Sequence, residues 1–146
     1  MFYPLALTIH LLCATTFIGV VFFEVLILEG MRPHLGEETM ARVENGLVNR
    51  ARKIMPWVVG ALFLSGAYLL HQHFRSLDID WTNSFTVMVS IKVALALSVL
   101  VHFVTALRAQ LNGCMTSTRF RLTHLSVFAH MVLIVILAKA MFYVTW

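Results

Sequence analysis

Imidazole and amine side chains lie inside stretches of the chain that are otherwise apolar. His10 lies in the first such stretch, Lys92 and His102 lie in the third, and His130 lies in the fourth. Imidazole is the commonest ligand of haem iron and transition metals, and its charge changes near neutral pH. Ionisable groups in apolar spans are costly in hydrocarbon and usually face protein, water or a ligand. These four residues are therefore the first candidates for a cofactor site.

The composition is that of an integral membrane protein. The chain has 146 residues, of which 60% are hydrophobic and 12% are charged. A soluble domain is about 45–50% apolar and about 25% charged. The net charge of +4 comes from basic residues in short loops between apolar stretches, where they report membrane orientation. We therefore expect the lipid bilayer as a partner and no nucleic acid.

Four apolar stretches predict four transmembrane helices, at about 3–28, 54–74, 84–108 and 122–143, since about 20 apolar residues span a bilayer. Between the first two, apolar residues recur at helical spacing and predict an amphipathic helix, on the membrane surface or packed on the bundle. These residues are Met40, Val43, Leu47, Ala51 and Ile54. Pro56 falls in the first turn of the predicted second helix, where a missing N–H costs little.

We accordingly predict an all-α fold, with residues 1–146 forming one transmembrane domain. It is a four-helix antiparallel bundle with a cytoplasmic amphipathic segment between helices 1 and 2. The first predicted loop carries five basic residues and the third carries two, whereas the middle loop has only Arg75, balanced by two aspartates. The positive-inside rule places the first and third loops in the cytoplasm and both termini outside.

This topology sorts the ionisable residues into two layers. The outer half holds His10, His71, His73, Lys92 and Lys139, and the inner half holds Glu24, His102, His124 and His130. His10 and Glu24 are 14 residues apart, so they share one helical stripe roughly 21 Å long. A haem between helices needs axial ligands at similar depth. His10 with Lys92, His71 or His73 meets that condition in the outer half, and His102 with His130 meets it in the inner half.

Structural explanations compete with each candidate. A histidine in a span also forms hydrogen bonds to backbone carbonyls, and Lys92 also reaches the interface by extending along its helix. Lys139 lies about 180° from His130 on the same helix, so only one of them faces the core. Small residues four apart, at Ala61 and Ser65 and at Ala94 and Ser98, allow close approach of helices.

Copper is the alternative cofactor. Soft metal pathways favour clustered Met and Cys, whereas the methionines of this chain are scattered. This pattern weakens a copper channel and leaves a histidine-based copper site open, with His10 and His102 as candidate metal ligands.

Several stretches resemble the small integral membrane proteins of the HemJ/CopD-like superfamily. IHLLCATTFIGVVFFEVLIL resembles their opening helix, with an early histidine, a later glycine and paired phenylalanines. RKIMPWVVGALFLSGAYLL is similar to their second helix, and IKVALALSVLVHFVTALR is similar to their third, with its lysine and later histidine. HMVLIVILAKAMFYVTW is similar to the last helix of short CopD-like members.

The resemblance implies different functions for its two branches. HemJ-type proteins are linked to the oxidation of protoporphyrinogen IX and bind haem b, whereas CopD-type proteins are linked to copper uptake or resistance in the inner membrane. Carried over to matching positions, His10 and Lys92 correspond to the haem-associated histidine and lysine. Arg52 matches the basic residue that opens the second helix, so Arg52 and Lys92 are the implied catalytic residues.

We therefore expect a bacterial inner-membrane redox protein with periplasmic termini. It binds haem b through His10 and Lys92, or through His102 and His130, and its reaction partner is a porphyrin or a quinone. Copper handling of the CopD type is the alternative, and a cofactor-free assembly subunit is a third interpretation. A homodimer is left open.

Overall fold

The structure, a computed structural model, describes residues 2–76, 83–112 and 117–144. Its elements are all helical: α1 (Phe2–Phe22), a π-helical segment (Phe23–Leu28), α2 (Glu29–Met31), α3 (Glu37–Ser76), α4 (Ser84–Leu111) and α5 (Ser117–Ala140). Four helices are long and apolar enough to cross a membrane, namely Phe2–Met31, Glu37–Arg75, Ser84–Leu111 and Arg121–Ala140. The predicted helical class and the predicted number of long apolar helices are confirmed.

Helix α3 is longer than predicted. It runs for 40 residues without a break and joins the predicted amphipathic segment to the predicted second span. Pro56 therefore lies inside a helix instead of in a first turn. Its ring nitrogen has no hydrogen to donate to the carbonyl of Arg52, so one helical bond is missing there. The helix continues through the polar half because that half buries a face of its own, with Met40 only 1% exposed.

Contacts divide the chain into two compact units, Met1–Asp78 and Ile79–Trp146. In the first unit α1 and α3 run antiparallel, because His10 in α1 contacts Leu62 late in α3, whereas Arg32 contacts Glu44 early in α3. The buried apolar side chains of this unit are Phe17, Val21, Leu28, Met40 and Val59.

Glu24 lies on the buried face of the first apolar helix. It is only 5% exposed, and it alternates with the buried residues Phe17, Val21 and Leu28 at spacings of three and four. Such spacing marks one face of a helix, as the predicted stripe requires. Glu24 also belongs to the π-helical segment, and π-helical turns are frequent at functional sites.

Arg32 holds the turn between α2 and α3. Its Nε and Nη2 donate to both carboxylate oxygens of Glu29, at 3.0 and 2.9 Å, and Nη2 also donates to Glu44. The hydrogen bond to Glu29 and the one to Glu44 raise the pKa of the Arg32 guanidinium above its usual value. The turn is thus closed by one cation and two carboxylates that are partly shielded from solvent.

We expect Arg32→Ala to lower the free energy of unfolding by about 1 kcal/mol, because a bidentate network of partly exposed charges is worth little more than that. Arg42→Ala is the matched control, since the Arg42–Glu38 pair is about 80% exposed on both sides. Its loss should have no measurable effect. Denaturant unfolding at low and high salt gives the free energy of unfolding of both variants. Equal losses of stability would show that the Arg32 network contributes no more than the exposed Arg42–Glu38 pair.

The second unit contains α4 and α5. Asn83 caps α4, where its Oδ1 accepts a hydrogen bond of 2.9 Å from the N–H of Phe85, so the helix begins at the predicted residue. The two helices run antiparallel, because Ser98 pairs with His130 while His102 pairs with Ser126. The buried apolar side chains are Met88, Val99, Val127 and Met131.

Candidate functional site

His10 is fixed to α3 through one ring nitrogen. Its Nδ1 lies 3.0 Å from the carbonyl oxygen of Leu62 and 3.2 Å from Oγ of Ser65. A carbonyl only accepts, so Nδ1 carries the hydrogen and Nε2 of the neutral ring keeps a lone pair. The Ser65 hydroxyl in turn donates to the carbonyl of Ala61 at 2.6 Å. The predicted small-residue position Ser65 thus helps to hold His10.

Gly66 makes room for the His10 ring. A Cβ added at Gly66 would lie 2.9 Å from Cε1 of His10 and 3.3 Å from its Nδ1. A Cβ at Gly60, in the same helix, would meet nothing within 4 Å. The close approach of His10 to α3 therefore depends on the missing side chain at residue 66.

A cycle of four hydrogen bonds joins α4 and α5. Nδ1 of His102 donates to the carbonyl of Ser98, and Nδ1 of His130 donates to the carbonyl of Ser126, both at 2.8 Å. Oγ of Ser98 lies 3.1 Å from Nε2 of His130, and Oγ of Ser126 lies 3.2 Å from Nε2 of His102. The ring centroids are 5.5 Å apart. His102 and His130, predicted to lie at similar depth, are thus brought together.

A short repeat underlies this cycle, and the sequence predictions overlooked it. Residues 97–104 read LSVLVHFV and residues 125–132 read LSVFAHMV, so the first leucine, the serine, the histidine and the valines at the third and eighth positions recur at the same spacing. The first valine of each copy is buried, Val99 at 4% and Val127 at 6% exposed. Because the helices run antiparallel, each serine meets the histidine of the other copy. The signal was present in the sequence as two eight-residue segments that are identical at five positions.

The remaining predicted residues are more dispersed. Lys92 is half-buried in α4, whereas Arg52 is exposed on α3. Lys139 is exposed, with Nζ 5.2 Å from the ring centroid of Tyr143, while His130 faces α4, as their opposite placement on the helix predicts. His10 lies in the first compact unit and Lys92 lies in the second, and their pairing stays a prediction. His71 is exposed, and His73 and His124 are half-buried.

The His10 site and the His102–His130 pair differ in how well they fit a haem group. A histidine that binds iron or another metal usually donates its second ring N–H to a carbonyl, which orients the ring and leaves Nε2 for the metal. His10 has the orienting part of this arrangement, because its Nδ1 donates to the Leu62 carbonyl. For His102 and His130 taken together, each Nε2 meets a serine of the opposite helix across rings only 5.5 Å apart, so a porphyrin does not fit between them in this arrangement.

A metal ion that is not part of a haem usually needs more side-chain ligands than the His10 site or the His102–His130 pair offers. Within residues 2–76, 83–112 and 117–144, no group of three or more His, Cys, Asp or Glu is placed to hold a metal ion. The predicted roles of His10 and His102 as ligands of a copper ion stay predictions.

Comparison of the chain with protein-family models, with curated proteins and with solved structures gives no match.

Proposed function

We propose that this chain is an integral membrane protein that binds haem b and uses it in one-electron redox chemistry. The membrane location is supported by the four long apolar helices and by large apolar side chains on their outer surfaces, such as Leu12, Leu64 and Ile136 at 64, 76 and 56% exposed. Soluble monomers rarely expose such extended apolar surface. The basic loops favour a bacterial inner membrane with both termini on the periplasmic side.

The observation that carries the haem proposal is the anchoring of His10. Its Nδ1–H is committed to the Leu62 carbonyl, so the ring is oriented and Nε2 is the ligand atom. Ser65 adds a second contact to Nδ1, and Gly66 allows the ring to sit against α3. A haem held there by His10 would supply electron transfer, and its potential would be tuned by the axial ligands and by burial.

The substrate proposal rests on the resemblance alone. It assigns a porphyrinogen or a quinone as the reaction partner, Lys92 as a second haem-associated residue and Arg52 as a basic residue near the cytoplasmic edge. Copper binding of the CopD type remains the alternative proposal, and the same experiment separates the two.

The test is an absorption spectrum of the detergent-purified full chain, oxidised and reduced with dithionite, from cells supplied with haem precursor. Metal analysis is done on the same sample. We expect a Soret band that sharpens and shifts on reduction, with iron bound. We expect His10→Ala to lose this band, because no other group replaces Nε2 at that position on α1.

His34→Ala is the matched control, because His34 is exposed in the turn before α3. It should keep the full haem content. A wild-type sample without a Soret band would overturn the proposal, and bound copper in that sample would favour the alternative. Full haem content in His10→Ala would remove His10 as the ligand.

A further inference from the structure

We propose that Arg50 and Lys53 of α3 bind the phosphate of an anionic phospholipid, whose acyl chain lies along Trp57 and Leu64. The ligand is a lipid of the bilayer that surrounds the chain. The proposal rests on the membrane location proposed above and is independent of haem. All four residues belong to the first compact unit. We call them the exposed α3 stripe.

The exposed α3 stripe occupies one side of its helix. At about 100° per residue, its four members fall within an arc of about 60°. Arg50 and Lys53 are exposed. Trp57 is 81% exposed and Leu64 is 76% exposed. The contacts with His10 are made from a different side of α3, so α1 leaves the stripe open.

The two cations of the stripe have no counter-charge from the protein. Arg32 and Arg42 pair with glutamates, whereas neither Arg50 nor Lys53 pairs with a carboxylate in the part of the chain that the structure describes. Residues 45–77 contain no Asp or Glu, so α3 itself offers no carboxylate within a turn of either cation. Basic residues beside a membrane span favour anionic lipids, and a phosphate supplies the missing negative charge.

The apolar part of the stripe identifies the ligand as a lipid. Trp57 follows Lys53 by about one turn, and tryptophan is enriched at the boundary between headgroups and hydrocarbon. Lys53 and Leu64 are 11 residues apart, which is about 16 Å along the helix and close to half of the hydrocarbon layer of about 30 Å. The stripe therefore has the length of one leaflet. A soluble phosphate ester would contact the two cations and leave the apolar part unused.

The direction of the side chains favours the same arrangement. In a helix, Cα–Cβ bonds tilt toward the N-terminus. The positive-inside rule places the N-terminal part of α3 in the cytoplasm. Arg50 and Lys53 therefore extend away from the hydrocarbon and toward the headgroups, while their methylene groups cover apolar surface.

The experiment measures quenching of the Trp57 fluorescence by phospholipids with brominated acyl chains, in liposomes that contain the full chain. Trp81→Phe and Trp146→Phe leave Trp57 as the one tryptophan in the sequence. Brominated phosphatidylglycerol is compared with brominated phosphatidylcholine of the same chain length. We expect phosphatidylglycerol to bind about 5- to 25-fold more tightly, since each basic residue near an anionic surface contributes about fivefold. Flotation of the liposomes shows that the chain is incorporated, which checks the membrane location separately.

Two double variants locate the preference. Arg50→Gln combined with Lys53→Gln should reduce the preference for phosphatidylglycerol to less than about twofold. Arg42→Gln combined with Arg75→Gln is the matched control, because it removes the same charge from two other exposed positions of α3. This control should keep the wild-type preference.

Three results would contradict the proposal in an incorporated chain. Equal quenching by the two lipids would show that the stripe does not distinguish headgroup charge, and quenching by neither would show that no lipid lies against Trp57. Equal losses in the two double variants would assign the preference to the overall charge of the chain. Relief of the quenching by millimolar glycerol phosphate would identify a soluble phosphate ester as the ligand and would also overturn the proposal.

Discussion

Gly66→Ala should weaken haem binding by about 10- to 100-fold, the range seen when a group that orients a metal ligand is removed. The new Cβ would lie 2.9 Å from Cε1 of His10, closer than such contacts allow. The ring must then leave its position, and its hydrogen bond to the Leu62 carbonyl is lost. Haem titration of the purified apoprotein, followed at the Soret band, gives the affinity.

Gly60→Ala is the control for this change. It makes the same substitution six residues earlier in α3, where the added Cβ meets nothing within 4 Å. Helix propensity favours alanine equally at both positions, so a difference between the variants reports the His10 contact. Equal haem affinities in the two variants would show that the close approach of His10 to residue 66 does not matter for binding.

Met40→Ala should lower the free energy of unfolding by about 2–5 kcal/mol, the usual cost of emptying a buried Met position. Met40 is 1% exposed although it lies in the polar half of α3. The loss would show that this half of α3 contributes to the core of the first unit. Reversible unfolding in mixed micelles, followed by circular dichroism, measures the change.

Met31→Ala removes the same side chain from a position that is 43% exposed, and it should change stability by less than about 0.5 kcal/mol. Met40→Leu nearly conserves the volume and should cost less than about 1.5 kcal/mol. If Met40→Ala behaves like Met31→Ala, residues 37–53 pack too loosely to stabilise the fold.

Hydropathy predicted the features of the fold that depend on the composition of a whole span. The four apolar helices follow from such windows, and α4 begins at the predicted Ser84 because Asn83 is a favourable cap. The continuity of α3 was not predicted, because a proline next to a change in polarity is the usual sign of a helix start. The burial of Met40 outweighs that local signal, and burial depends on contacts that sequence spacing does not contain.

The candidate sites were predicted in part, for a similar reason. Depth in the membrane suggested that His102 and His130 lie together, and the stripe on α1 suggested that His10 faces inward. Hydrogen bonds from these histidines to backbone carbonyls were anticipated, whereas the serines that contact the rings were assigned only to small-residue pairs, as Ser65 and Ser98 show. His10 and Ser65 are 55 residues apart in the chain, so their contact depends on the register of α1 against α3. No local pattern encodes that register.

The uninterrupted length of α3 has a mechanical consequence. Its 40 residues extend over about 60 Å, roughly twice the thickness of the hydrocarbon layer. Met40 and Gly66 therefore lie on one continuous helix. A force that rotates the charged N-terminal part of α3 about its axis also rotates the part that contacts His10. Pro56, where one backbone hydrogen bond is missing, is the position at which α3 bends most easily. A molecule that binds residues 37–53 is thus coupled, through the single helix α3, to the contact between Gly66 and His10 of α1.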